Sequence, residues 1–227
     1  MNLVHAALVI SISLPMSLSQ PTSQWLQAPL PKKGFPEITS DEKSWTLTTQ
    51  GTAGGYVYLF PEALPLSSKG GVLSWKWEVS QFPQAVPTPP FKKETDDYPV
   101  RIGLLLGDGE HSIRGLGQGF TQAVQKKLSD RHETISAVLF WGASRSVPSH
   151  RKCGPNPYSD QIILCLKFAG PELTEVHVDP YQDASMHLNL DARTLNKLKI
   201  VGLWIVADSD DSHSSSKARI SDLKLIP

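Results

Sequence analysis

The chain has 227 residues, with 22 Lys and Arg against 22 Asp and Glu, so its net charge is zero. That balance argues against a general nucleic-acid binder, which carries a basic excess. A hydrophobic content of 40% with 8% aromatics fills a core and argues against wholesale disorder, and the length suits one globular domain.

Leu3 to Leu14 (LVHAALVISISL) form a short apolar run that Pro15 stops. It falls short of the roughly 18 residues a membrane-crossing helix needs. Ser17 and Ser19 are small residues spaced like a signal-peptidase site. Residues 1–19 therefore read as a signal peptide cleaved before Gln20, which implies a periplasmic or secreted protein. Against this, no Lys or Arg precedes Lys32; the alternative is a buried N-terminal strand or helix. Residues 20–44, rich in Pro, Ser, Thr and Lys, read as an extended lead-in. Residues 45–227 form the domain.

WTLTTQ (45–50) and YVYLF (56–60) are strand-like, with Gly51, Gly54 and Gly55 as the connection. VLSWKWEV (72–79) alternates cleanly, with Leu73, Trp75, Trp77 and Val79 on one face. A proline-rich loop follows over 80–97. VRIGLLL (100–106) is a buried strand. The insertion 107–134 carries a short helix whose Phe120, Val124 and Leu128 recur at helical spacing and dock it on a sheet. SAVLFW (136–141), QIILCLKF (161–168), EVHV (175–178), KIVGLWIVA (199–207) and residues 218–226 are further strands. Asp191 caps a short helical turn reaching Leu198. Eight or nine strands without βαβ alternation predict an all-β fold: an antiparallel β-sandwich of jelly-roll type with one or two short helical insertions.

Nucleophile and nucleotide templates are missing. There is no G-x-S-x-G elbow, and GLGQG (115–119) lacks the Lys-Ser/Thr of a phosphate loop. The seven histidines form no zinc pair; His150 is the one to watch as a proton carrier. Cys153 and Cys165 either close a small loop in an oxidising compartment or stay as two thiols.

Strand order points to a site. If strands follow an up-and-down order, the loops 80–97, 142–160 and 208–217 share one end of the sandwich. Asp96, Asp97, Asp208, Asp210 and Asp211 then gather on one rim with Arg101, Asn156 and Trp141. Arg101 would clamp a carboxylate or orient Asp97. Trp141, at a strand end, would serve as a platform for a ligand ring. Such a rim suits a polar ligand, by its chemistry a carbohydrate. Calcium is the cation such oxygens would take, although no cofactor is required. Asp-rich turns also occur as plain solvated structure. The ligand residues expected are Asp97, Arg101, Trp141, Asn156, Asp208 and Asp210. Two rivals stand beside this binding module. One is an envelope polysaccharide hydrolase or lyase with Asp97 and Asp208 as acid and base. The other is a structural or protein-interaction module without a ligand.

The order LSWKWEV, KKETDDYPVRIGLLL, SAVLFWG, CGPNP, KIVGLWIVADSDDS and ARISDLKLI resembles the bacterial domain-of-unknown-function family 3047 over about residues 45–226. The matching positions are Trp75, Trp77, Asp96, Asp97, Arg101, Trp141, Asn156, Pro157, Asp208 and Asp210. The resemblance implies an exported β-sandwich and supplies no reaction. The long insertion 107–134, Phe140 and Asp211 depart from the family's pattern.

Overall fold

A computed structural model describes residues 12–13, 25–30, 34–41, 43–68, 71–84, 90–93, 96–113, 124, 126–149 and 152–226. Its strands are β1 (Ile12–Ser13), β2 (Trp25–Pro29), β3 (Glu37–Ser40), β4 (Ser44–Gln50), β5 (Ala53–Pro65), β6 (Val72–Gln81) and β7 (Arg101–Gly107). They continue with β8 (Ala137–Ser144), β9 (Cys153–Asn156), β10 (Ser159–Phe168), β11 (Thr174–Val178), β12 (Lys199–Asp208) and β13 (Ser215–Ile226). Two helices, α1 (Pro180–His187) and α2 (Ala192–Lys197), lie between β11 and β12. Residues 126–129 form one further helical turn.

Two sheets stack as a jelly-roll sandwich. One has the order β11-β6-β13-β4-β3, with β1 also paired to β13; the other runs β2-β5-β12-β7-β8-β10-β9. The space between them holds Trp45, Leu47, Leu73, Trp75, Trp77, Ile102, Leu104, Leu139, Trp141, Leu203 and Ile205. The alternation in β6 gives this arrangement directly, because Leu73, Trp75, Trp77 and Val79 all point inward. Lys76 points outward and meets Asp222 at 2.9 Å.

The seven-stranded sheet is buried on its other face too. A second cluster there contains Val57, Leu105, Val138, Phe140, Leu164, Trp204 and Val206. Val124 and Leu128 join it, as their helical spacing predicts; Phe120 lies outside the described residues. Strand β7 is consequently buried along its whole length, which is why its sequence is continuous rather than alternating.

Three expectations change. The segment 20–44 supplies two paired strands, β2 against β5 and β3 against β4. The α1 helix was not expected, although Asp179 accepts from the Gln182 N–H at 3.0 Å and Pro180 opens the first turn. The up-and-down order fails once: β10 runs parallel to β8, with Cys165 opposite Trp141. Segment 145–158 therefore does not simply turn back at the same end. Strand β9 carries it along the sheet, antiparallel to β10. The Asp191 cap of α2 is present, accepting from the Thr194 N–H at 2.7 Å. Cys153 and Cys165 face each other across β9 and β10 and are joined as a disulfide. The signal-peptide reading and His150 lie outside the described residues, apart from Ile12 and Ser13. Among the described residues no helix is long and apolar enough to cross a membrane.

Candidate functional site

The site forms where β12 ends and β7 begins. These strands are antiparallel neighbours, with Val206 opposite Arg101. Two residues beyond, the Asp208 N–H donates to the Tyr98 carbonyl at 3.0 Å. Segments 96–101 and 208–211 thus share one end of the molecule, as the strand-order argument requires.

A bulge between Ile200 and Gly202 sets which face Asp208 uses. It puts Ile200, Leu203 and Ile205 between the sheets and Val201, Trp204 and Val206 on the outer face. Trp204 is buried there against Phe140, with ring centroids 5.3 Å apart. Asp208 continues the outer-face series, and Arg101 reaches it there. The guanidinium lies between two rings, 5.5 Å from the Tyr98 centroid and 5.7 Å from that of Phe140. Gly103 makes room for the Phe140 ring; a Cβ there would come within 2.4 Å of it.

Arg101 is only 5% exposed and pairs with two buried carboxylates. Its Nη2 donates to Asp208 Oδ2, and its Nη1 lies 3.2 Å from Asp96 Oδ1. The Asn156 amide donates to both Asp96 oxygens at 3.3 Å, and Asn156 Oδ1 accepts from the Tyr158 N–H at 3.0 Å. Burial pushes the Asp208 carboxyl well up, against the pull of Arg101 and with a further push from Asp97. Burial likewise raises Asp96 despite Arg101.

Asp97 behaves differently. It is half-buried, and burial alone would raise it. Contact with Asp208 and hydrogen bonds from the Ser212 and Asp211 backbone win, and hold it below the usual carboxylate range. The Asp211 N–H donates to Oδ1 at 3.1 Å and the Ser212 N–H to Oδ2 at 2.6 Å. The turn that offers these donors is itself tied. Ser209 Oγ donates to the Ser214 carbonyl at 2.9 Å, and Ser212 and Ser214 share a 2.6 Å hydroxyl contact.

Asp97 also lines an open cleft of about 330 Å³. Phe82, Tyr98, Pro148 and Leu166 give it apolar walls, and Gln84, Ser144, Arg145 and Ser146 add polar groups. Arg145 covers one face of the Phe82 ring at 4.8 Å. Tyr98 packs over Gly142, where a Cβ would sit 3.2 Å from its ring.

The expected site residues therefore divide. Asp97, Arg101, Asn156, Asp208 and Asp210 come together, but all except Asp97 are buried, at 5%, 9%, 4% and 8% exposure in that order. Arg101 is enclosed and holds Asp96 and Asp208, so it does not clamp a ligand. Trp141 is a correction. It projects from the opposite face of its strand into the space between the sheets, is fully buried, and donates from Nε1 to Asp183 Oδ2 at 2.8 Å. It lies 6.0 Å from Trp75 and offers no ligand platform. The residues sequence reasoning missed are Phe82 and Tyr98. Phe82 lies in proline-rich surroundings without periodicity, and Tyr98, between Asp97 and Pro99, belongs to no alternating pattern.

The Asp97–Asp208 spacing also bears on hydrolysis. One oxygen of each, and one of Asp210, lie within 4.8 Å of one another. Glycosidase pairs flank the scissile bond at about 5–9.5 Å and must both reach it. Asp208, at 4% exposure, is closed off from the cleft that Asp97 lines.

A two-sheet jelly-roll with a loop-end acidic cluster beside an open cleft is the class this chain defines. The chain belongs to the family described as Protein of unknown function (DUF3047), whose pattern matches residues 24–224. Among curated proteins no sequence match is found. Similar solved structures include a family 12 xyloglucanase from Bacillus licheniformis, with 8% identity, coverage of 95% of this chain and 98% of that one, and a TM-score of 0.49. A family 11 carbohydrate-binding module from Clostridium thermocellum has 13% identity, 97% coverage of both chains and a TM-score of 0.43. Endoglucanase 3 from Trichoderma harzianum has 8% identity, 96% coverage of both and a TM-score of 0.44.

Proposed function

We propose that this chain is a binding module for a polar ligand of carbohydrate type, held in the cleft between Phe82, Asp97, Tyr98 and Arg145. One observation carries the reading: Asp97, an ionised carboxylate locked in orientation by two backbone N–H groups, lines an aromatic-walled cleft open to solvent. Sugars present hydroxyl donors to a carboxylate and apolar ring faces to aromatic side chains. The cleft's volume lies at the lower end of small-ligand sites, about 300–1,000 Å³. Arg145 adds a donor for hydroxyls or for an acidic sugar. The buried Arg101, Asp96, Asn156 and Asp208 support the wall that Asp97 stands in. The burial of Asp208 argues against the hydrolase alternative, because a catalytic acid or base must reach the glycosidic oxygen or a water beside it.

Export belongs to the same proposal. It rests on the apolar run at residues 3–14, and the Cys153–Cys165 bridge suits an oxidising compartment. Cell fractionation with sequencing of the mature N-terminus tests it; a cytoplasmic chain starting at Met1 refutes it.

The binding test is calorimetric titration of the full chain against a panel of neutral and acidic oligosaccharides. Phe82→Ala and Arg145→Ala are expected to weaken any binding at least tenfold, and Trp141→Phe to leave it unchanged. The reading fails if no saccharide binds, or if binding survives both cleft variants.

A further inference from the structure

At the loop end the carboxylates of Asp97, Asp208 and Asp210 converge, and Arg101 pairs with Asp96 and Asp208. Arg101 engages Asp96 and one oxygen of Asp208. The other, Oδ1 of Asp208, is buried and has no hydrogen-bond partner. It belongs to a residue only 4% exposed, in a group where Asp97, Asp208 and Asp210 each bring one oxygen within 4.8 Å of the others.

Converging carboxylate oxygens repel unless something positive lies between them. A proton and a metal cation are the two candidates. A proton bridges two oxygens, not three. Held on Asp208, it would be donated to Asp97 and reach no third oxygen. A hard divalent cation has no such limit. Calcium takes six to eight oxygens at about 2.3–2.6 Å, so two of its ligands stand at most about 5 Å apart. The three carboxylates meet that span. Magnesium fits less well, because its bonds of about 2.0–2.1 Å and strict octahedron demand tighter ligands.

We infer that Asp97, Asp208 and Asp210 form a calcium site behind the cleft wall, with Asp208 Oδ1 as its buried ligand. Water and nearby carbonyls complete the shell. Arg101 holds Asp208 from the other side and so fixes the direction in which Oδ1 points. The ion would tie the end of β12 to the segment before β7. It would thereby brace the two sides that orient Asp97. This inference stands whether or not a sugar occupies the cleft.

The test uses the full chain, stripped with chelator and dialysed, without any saccharide. Calorimetry and thermal melting are followed as calcium chloride is added, with magnesium chloride and ionic-strength-matched sodium chloride in parallel. Calcium is expected to bind once per chain. It should raise the melting temperature by about 5–10 °C at a hundredfold excess over Kd, and more than magnesium does. Asp210→Asn, which leaves the Arg101 pairs intact, should weaken calcium binding at least tenfold; Asp97→Asn is the second variant if the first does not fold. Absence of calcium binding at millimolar concentration overturns the inference. So does binding that both variants leave within twofold of the parent. A stabilising Asp208→Asn substitution in a chain that binds no calcium would assign the contact to a shared proton instead.

Discussion

Replacing Arg101 by Met tests the architecture beneath the cleft. Met keeps most of the apolar stem between Tyr98 and Phe140 but removes the charge. Two carboxylates, Asp96 and Asp208, at 5% and 4% exposure, then lose their counter-charge. Removing one partner of a buried ion pair costs about 3–5 kcal/mol. Part of this is returned, because Arg101 Nε is buried without a partner in the parent, and an unsatisfied donor of that kind costs about 1 kcal/mol or more. The net loss expected is about 2–4 kcal/mol, or roughly 4–16 °C in melting temperature for a chain of this size. Urea unfolding at neutral pH, in chelator so that no cation contributes, measures it. The double variant Arg101→Met/Asp208→Leu should recover part of the loss, since it no longer strands a charge. If Arg101→Met lies within about 0.5 kcal/mol of the parent, an ordinary surface-substitution effect, the guanidinium is not what holds these carboxylates.

The Cys153–Cys165 bridge encloses a short loop at the sheet edge, and reducing it should lower unfolding free energy by about 3 kcal/mol. Urea titrations with and without a thiol-free reductant check this, and equal midpoints would refute it. Asp108 accepts from the Glu110 and His111 N–H groups at 2.9 and 2.8 Å and from Ser136 Oγ at 2.7 Å. Burial opposes the effect of these bonds, yet they hold its carboxyl far below the ordinary range. A depressed folded value gives stability that is full above the unfolded pKa, about 3.9, and is lost as pH falls through the folded one. Asp108→Asn should therefore cost about 1–3 kcal/mol at neutral pH, with the gap to the parent closing in strong acid. His111 has the opposite sign. Asp108 raises its value, so its contribution is present below about pH 6.5 and lost as pH rises through the raised folded value. The parent-to-variant difference should therefore grow as pH falls from about 8 towards 6.5 and His111 gains its proton, then shrink in strong acid as Asp108 is protonated; a difference that stays flat over the first range contradicts the His111 assignment, and one that still grows below about pH 3.9 contradicts that of Asp108.

The sandwich was legible because its signals are local. The alternation of β6 and the apolar runs of β7 and β12 state which residues are buried without reference to anything distant. Strand order also placed Asp208 beside Arg101 correctly, since β7 and β12 are antiparallel neighbours. Parity tells which end of a strand a residue occupies, however, and not which face it uses. Phe140 and Trp141 are adjacent aromatics in the middle of β8, which runs on to Ser144, and they point to opposite sides of the sheet. The sequence FW contains no mark that tells the one beneath Arg101 from the one beside Asp183. The parallel β8–β10 pair was hidden for a similar reason. A segment such as 145–158 can turn back or travel, and strand β9 within it carries Gly and Pro, which weaken its strand signal. The cleft escaped because it is a space between loops, and periodicity describes only what is filled.

Strand β13 holds the middle of its sheet, with β6 on one side and β4 on the other. Its residues, 215–226, are synthesised after every strand they join. Until they arrive, β4 and β6 have no common neighbour, and the tryptophans they carry have half a wall to pack against. Assembly of this sandwich therefore waits on distant pairing, the slow kind of contact in folding. A growing chain stays open along this seam until residues 215–226 have emerged.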